Sequence, residues 1–131
     1  MKPNTPTIPV AWGELVDKIT ILEIKKTKIN DESKLLNIAT ELALLRQPCH
    51  EDVIGAPTMA PLINALAEIN LKLWEIEDLI RIKEKNQDFD NQFIELARSV
   101  YFQNDERAKI KRRINEKMDS EIVEEKSYVK Y

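Results

Sequence analysis

Polar residues interrupt an apolar helical stripe near the C-terminal end of the sequence, and their types make them the strongest candidates for binding a ligand. On a wheel of about 100° per residue, one face begins with four apolar side chains, Phe93, Leu96, Ala97 and Val100. The same face continues through Asn104, Arg107 and Lys111 and becomes apolar again at Ile114. Desolvating an unpaired charge costs several kcal/mol. Carboxylates, water in a cleft or an anionic ligand must therefore neutralise Arg107 and Lys111.

We expect the acid that pairs with these cations to come from another helix. If the last two helices pair antiparallel, the polar stretch lies opposite Asn70, on a segment with no acid on its inner face. Glu23 is the acid closest to the apolar stripe of the first helix. The sequence therefore predicts an inter-helix pocket formed by Glu23, Asn70, Asn104, Arg107 and Lys111. Two alternatives stay open: the second half of the last helix extends past its partner into solvent, or the charges form a structural ion-pair cluster without a ligand.

Four helices are expected to position these residues. Apolar periodicity and the placement of proline, glycine and capping residues predict helices over residues 10–29, 32–46, 61–86 and 91–117. The tight turn between the last two helices predicts an antiparallel hairpin. The expected fold is an all-α antiparallel bundle of about four helices in one domain, 1–131, with a proline-rich extended arm at 1–9, a loop at 47–57 and an extended C-terminal tail at 119–131. Three residues are expected to hold the tail against the bundle: Ile122, Tyr128 and Tyr131.

Two pairs of acids spaced three residues apart, Glu14 with Asp17 and Glu75 with Asp78, are the weaker candidates for a metal site. Acids at this spacing lie on one helix face and can share a divalent cation. Both pairs are expected to point away from the apolar stripes of their helices. The sequence therefore favours solvated faces for both pairs, and no metal or cofactor is expected.

Two further features are expected to be structural rather than functional. Cys49 and His50 are adjacent in a proline-flanked loop, where neighbouring side chains rarely face each other as a catalytic dyad requires. Basic residues are concentrated in the segment 106–117, but cations near a helix C-terminus are favoured by the helix dipole without any ligand. Nucleic acid is therefore not expected as a partner.

Composition bounds the compartment and the partners. The net charge is -3, with 20 basic and 23 acidic residues, so a protein-wide basic field is missing. The N-terminal residues lack the apolar region of a signal peptide, and no apolar run approaches the roughly 20 residues that span a bilayer. With a single cysteine, these features favour a cytoplasmic location. Two helices carry apolar residues on a second face: Ile21, Ile24, Leu71, Leu79 and Ile82. This predicts a contact with either the second helix or another subunit, and a homodimer is expected.

Four stretches of the sequence resemble the motifs of a bacterial family catalogued as a domain of unknown function. They are WGELVDKITIL at 12–22, the stretch from Leu73-Trp74 through Arg81, LARSVY with NDERA and IKR at 96–112, and IVEEKSY at 122–128. The likeness spans nearly the whole chain. It singles out twelve motif residues: Trp12, Glu14, Asp17, Lys18, Arg98, Tyr101, Asn104, Asp105, Arg107, Lys111, Lys126 and Tyr128.

The resemblance implies a setting rather than a reaction. Members of the family occur alone or beside glycosyltransferase-type proteins, among genes for cell-surface polysaccharide. It implies an accessory domain of lipopolysaccharide or other surface-polysaccharide biosynthesis, binding a partner or an anionic sugar-linked ligand at the Arg107 and Lys111 face. One alternative is a small enzyme on a dianionic substrate, in the manner of helical chorismate mutases. The other, ranked last, is a metal-dependent nucleotide pyrophosphohydrolase. The sequence leaves open whether the protein is an enzyme.

Overall fold

The computed structural model describes residues 4–49 and 54–131, and these ranges contain four α-helices and no strand. The helices are α1 Trp12–Lys28, α2 Glu32–Arg46, α3 Ala60–Lys85 and α4 Asn91–Lys117. Their bounds confirm the helices predicted from periodicity to within two residues at every end. The all-α bundle is therefore confirmed. None of the four helices has a stretch long and apolar enough to cross a membrane.

Local sequence explains where two of these helices begin. The Asp31 side chain accepts a hydrogen bond from the backbone N–H of Lys34 at 3.1 Å, which caps α2. The Asp90 side chain does the same for α4, accepting from the N–H of Phe93 at 3.0 Å. Each cap satisfies one of the first four helical N–H groups, which have no partner within the helix.

The main core lies where α1, α3 and α4 meet. Leu66 of α3 and Ile114 of α4 are fully buried there, and Val16 of α1, Met59 and Ile110 complete the cluster. A smaller cluster of Leu22, Ile38 and Leu42 joins α1 to α2. Helix α2 packs chiefly against α1. Helix α1 is consequently covered on two sides, by α2 and by the pair α3–α4.

The turn between α3 and α4 makes the predicted antiparallel hairpin. Gln87 has a positive φ of 51°, a backbone conformation that reverses the chain within a few residues. The Lys83 ammonium donates to Asp88 at 3.1 Å and to Asp90 at 3.0 Å, and so ties the end of α3 to the start of α4. The hairpin places Asn70 of α3 at the level of Arg107 of α4, as the sequence predicted.

The two ends of the chain lie outside the helices. Residues 4–9 of the predicted arm are exposed, and residues 1–3 lie outside the described ranges, as do residues 50–53 of the predicted loop with His50. Residues 121–131 form no helix or strand and run back along α4, antiparallel to it. Polar contacts hold this tail, from Glu124 to Lys111 and from Glu125 to Arg112.

The residues expected to anchor the tail divide into two groups. Tyr131 packs against rings of α4, as expected. Ile122 and Tyr128 remain exposed, at 40% and 75%. Apolar anchoring is therefore not seen at these two residues, and the tail is also joined to α4 by the ion pairs of Glu124 and Glu125.

Candidate ligand-binding site along the last helix

Gly13 sets how closely α1 approaches α4. A Cβ at this position would lie 2.4 Å from the backbone oxygen of Lys111, so only glycine permits the contact. The Gly13 N–H donates to the Asn115 Oδ1 atom at 2.7 Å, and the Trp12 N–H donates to the Ser120 hydroxyl at 3.3 Å. The residue before α1, Ala11, offers no side-chain cap. Asn115 of α4 and Ser120, which follows α4, thus cap the start of α1 and fix its register against α4.

Asp17 is the most deeply buried charged residue of this interface, with 1% of its surface exposed. Its carboxylate accepts from the Arg107 guanidinium through Nε at 2.9 Å and through Nη2, which is a bidentate pairing. It also accepts from the Asn70 amide at 2.9 Å. Asn70 donates in addition to the Thr20 hydroxyl, also at 2.9 Å. We call Asp17, Thr20, Asn70 and Arg107 the Asp17 cluster.

Lys111 lies one turn further along α4 and is neutralised by acids of α1 and of the tail. Its ammonium donates to Glu14 at 2.7 Å and lies 3.6 Å from Glu124 and 3.8 Å from Asp17. The hydrogen bond from Lys111 holds the pKa of the Glu14 carboxyl below its ordinary value, against the opposing effect of burial. The Asp17 hydrogen bonds likewise raise the pKa of Arg107, which therefore stays charged. Both cations of the polar stripe are thus matched by carboxylates of the same chain.

The prediction that Glu23 is the acidic partner of Arg107 and Lys111 was wrong. Glu23 does not face Arg107; it pairs with Arg46 of α2 instead. The expectation that Asp17 and Glu14 lie on a solvated face was wrong, since Asp17 is buried and Glu14 holds Lys111. The reason is that α1 buries two faces, and the predicted stripe ran across both: Val16 packs with α3 and α4, whereas Ile19 and Glu23 lie toward α2.

The other expectations about the stripe can be placed as well. The second half of α4 does not extend into solvent, because Ile110, Lys111, Ile114 and Asn115 are buried. Asn70, Asn104, Arg107 and Lys111 come together as predicted, and Asn104 accepts from Arg107 at 3.3 Å. Sequence reasoning missed Gly13, Thr20, Asn115, Ser120 and Glu124. A glycine four residues before an aspartate and seven before a threonine on one helix face was the available signal for the first two.

The acid pairs considered for metal binding are now located. Glu14 and Asp17 are engaged by Lys111 and Arg107, and Glu75 and Asp78 are exposed on α3. Within the ranges 4–49 and 54–131, no three His, Cys, Asp or Glu side chains are grouped closely enough to hold a metal ion. Burial raises the pKa of the Cys49 thiol, which disfavours the reactive thiolate.

A cavity of about 700 Å³ lies between α4 and the C-terminal tail. We call it the tail pocket. Six of the candidate site residues line it, four from α4 and two from the tail: Arg98, Tyr101, Asn104, Asp105, Lys126 and Tyr128. The tail forms one side of this pocket, so its lining depends on contacts between residues that are far apart in the sequence. The indole of Trp12, the remaining candidate residue, packs against the main core.

Three aromatic rings make one wall of the tail pocket. The ring centroids of Tyr101 and Phe102 lie 5.4 Å and 5.0 Å from that of Tyr131, both in edge-to-face geometry. The Tyr131 hydroxyl donates to the Asp105 carboxylate, and this hydrogen bond raises the pKa of Tyr131 to about 12. The C-terminal residue is thereby held on α4, and the acid of the pocket already has a partner.

The cations of the tail pocket differ from those of the Asp17 cluster. In the described part of the chain, Arg98 and Lys126 form no ion pair with a carboxylate, whereas Arg107, Lys111 and Arg112 all do. The Arg98 guanidinium lies 5.8 Å from the centre of the Phe102 ring, a cation–π contact that leaves its charge uncompensated. The tail pocket therefore combines two cations that form no ion pair within the described residues, one carboxylate and several aromatic rings.

These features define an all-α protein with a neutralised ion-pair cluster inside its helical interface and an electropositive, aromatic pocket beside it. Residues 7–130 of the 131 match the model of the family described as "Family of unknown function (DUF6165)", and the chain belongs to that family. The resemblance to an uncharacterised family is thereby confirmed. No curated protein and no solved structure matches the chain.

Proposed function

We propose that the protein is a ligand-binding accessory domain that holds an anionic ligand in the tail pocket. The observation that carries this proposal is the pair of cations, Arg98 and Lys126, which line one cavity without carboxylate partners in the described residues. The two come from separate segments, so docking the tail on α4 brings like charges to the same pocket. An anion that lies between them would relieve this repulsion and gain charge-assisted hydrogen bonds.

The geometry favours binding at the tail pocket over binding at the Arg107 and Lys111 face. Arg107 is bidentate to Asp17, and Lys111 is shared by Glu14 and Glu124. A dianionic substrate of the chorismate-mutase type would have to displace these acids, one of which is buried. For the metal-dependent hydrolase alternative, Glu75 and Asp78 belong to no group of three or more His, Cys, Asp or Glu side chains that could hold a metal ion within the described residues. We therefore assign the ligand to Arg98, Tyr101, Asn104, Lys126 and Tyr128.

The family resemblance supplies the setting of this proposal. Its association with cell-surface polysaccharide genes suggests that the anion is linked to a sugar, and that the domain acts in the cytoplasm beside a glycosyltransferase-type partner. Exposed apolar side chains on α3, Leu71, Leu79 and Ile82, support a homodimer as the working form. Light scattering on the purified protein tests the dimer: a mass of twice 15.3 kDa supports it, and a mass of 15.3 kDa at all concentrations overturns it.

Calorimetric titration with inorganic pyrophosphate tests the binding proposal. Binding should be measurable in the wild type and should weaken at least tenfold in Arg98→Ala and in Lys126→Ala, about 1.4 kcal/mol for each. Arg113→Ala is the matched control, because Arg113 is an exposed α4 cation that does not line the pocket. Absence of binding by the wild type, or equal losses in all three variants, would contradict the proposal.

A further inference from the structure

Beyond the two cations, the tail pocket contains groups that a simple anion would not use. Its volume, about 700 Å³, falls within the range of about 300–1,000 Å³ typical of small-molecule sites. A phosphate group between Arg98 and Lys126 would leave much of this space unfilled. The pocket therefore has room for a ligand that extends past its charged group, and the rest of the lining indicates the chemistry of that extension.

One aromatic ring of the pocket has no role in holding the fold. Tyr101, Phe102 and Tyr131 pack on one another, and Tyr131 is further tied to Asp105. Tyr128 makes no ring contact within the described residues and is 75% exposed, yet it lines the same cavity. An exposed tyrosine at the rim of an electropositive pocket offers a flat face to a planar ring of the ligand.

The polar donors of the pocket suit a phosphate. The guanidinium of Arg98 is planar and can donate two parallel hydrogen bonds to phosphate oxygens, while Lys126 supplies a point charge. Asn104 adds a third donor. Its Oδ1 atom accepts from Arg107, so the amide N–H groups are what Asn104 has left for a ligand. Arg107 is in turn fixed by Asp17, so the buried Asp17 cluster positions Asn104 at the pocket wall.

We infer that the tail pocket binds a nucleoside diphosphate or its sugar conjugate, with the diphosphate at Arg98, Lys126 and Asn104 and the planar base against Tyr128. This inference rests on the proposed anion-binding function and adds the class of ligand. Base–aromatic stacking adds about 1–3 kcal/mol per base, which corresponds to roughly 5- to 150-fold in affinity. The base, and not only the charge, should therefore contribute to binding.

The test compares uridine diphosphate with inorganic pyrophosphate by calorimetric titration of the full chain. Uridine diphosphate should bind at least fivefold more tightly than pyrophosphate to the wild type. Tyr128→Ala should weaken the binding of uridine diphosphate at least fivefold more than that of pyrophosphate, and Tyr128→Phe should keep the gain. Tyr128 is exposed, so circular dichroism should show both variants folded.

The outcomes separate this inference from the proposal beneath it. If pyrophosphate binds and requires Arg98, but uridine diphosphate binds no more tightly, the nucleotide inference is overturned and anion binding stands. A gain that survives Tyr128→Ala would overturn the assignment of the base to Tyr128. If neither compound binds, the proposed function fails first.

Discussion

The buried carboxylate of Asp17 and the guanidinium of Arg107 form a bidentate ion pair across the interface between α1 and α4. Asp17 is 1% exposed, and the Arg107 side chain is 27% exposed. Along α4, the pair lies between the core residues Ile110 and Ile114 and the residues between 98 and 105 that line the tail pocket. It keeps two charges inside a helical interface and, through Asn104, reaches the wall of the candidate ligand site.

Breaking this pair should destabilise the protein strongly. Arg107→Ala leaves the Asp17 carboxylate buried without its main partner, which typically costs about 3–5 kcal/mol of unfolding free energy. Urea unfolding measures the loss. Glu23→Ala is the control, because its pair with Arg46 lies at the surface and is worth about 0–1 kcal/mol. If Arg107→Ala and Glu23→Ala have equal effects, the Asp17 cluster does not hold the interface together.

Replacing Gly13 by alanine should change the free energy of unfolding in the opposite direction from an ordinary glycine-to-alanine substitution within a helix. Glycine to alanine within a helix usually stabilises by up to about 1 kcal/mol. At Gly13 the added Cβ meets the Lys111 backbone oxygen at 2.4 Å, so overpacking should lower the free energy of unfolding by about 1–3 kcal/mol. Chemical unfolding of Gly13→Ala gives the sign directly. A more stable Gly13→Ala variant would mean that α1 does not approach α4 this closely.

Glu14 should make stability depend on pH in the acidic range. Its pKa is lowered in the folded state from 4.5 by the Lys111 hydrogen bond. Its contribution is therefore fully present above pH 4.5 and is lost as the pH falls through the lowered pKa. Thermal unfolding of Glu14→Gln across this range should show a flatter pH dependence than the wild type. Glu75→Gln, at an exposed site on α3, is the matched control and should follow the wild type.

Tyr131 should report the docking of the tail at high pH. Its pKa is raised from 10.0 to about 12 by the hydrogen bond to Asp105. The contact is therefore intact below pH 10.0 and is lost as the pH rises through about 12. Ultraviolet titration of phenolate absorbance should show one of the three tyrosines ionising late. Asp105→Asn should shift that late step toward 10.0; an unchanged titration curve would contradict the tail contact.

The helices and the hairpin could be predicted because they depend on local signals. Periodic leucine and isoleucine, the caps Asp31 and Asp90, and a short turn fix their bounds. The polar stripe was predictable for the same reason, since a wheel places Asn104, Arg107 and Lys111 on one face. These features follow from spacing along one helix and need no knowledge of its neighbours.

The partner of the stripe could not be predicted in the same way. Which face of α1 meets α4 depends on where α2 packs, and α2 takes the face that carries Leu22 and Glu23. A helical wheel could not predict the tail pocket either, because the tail has no helical periodicity. Its path is set by the contacts of Glu124, Glu125 and Tyr131 with α4. Only the family resemblance named Arg98, Lys126 and Tyr128 together.

The central claim is that the ligand lies in the tail pocket rather than at the Asp17 cluster. Nuclear magnetic resonance of nitrogen-labelled protein, titrated with uridine diphosphate, tests it most directly. The account predicts that the largest amide shifts fall in two segments that line the pocket, 98–105 on α4 and 126–129 in the tail. Shifts centred on Glu14, Asp17 and Lys111, with the tail unaffected, would contradict it.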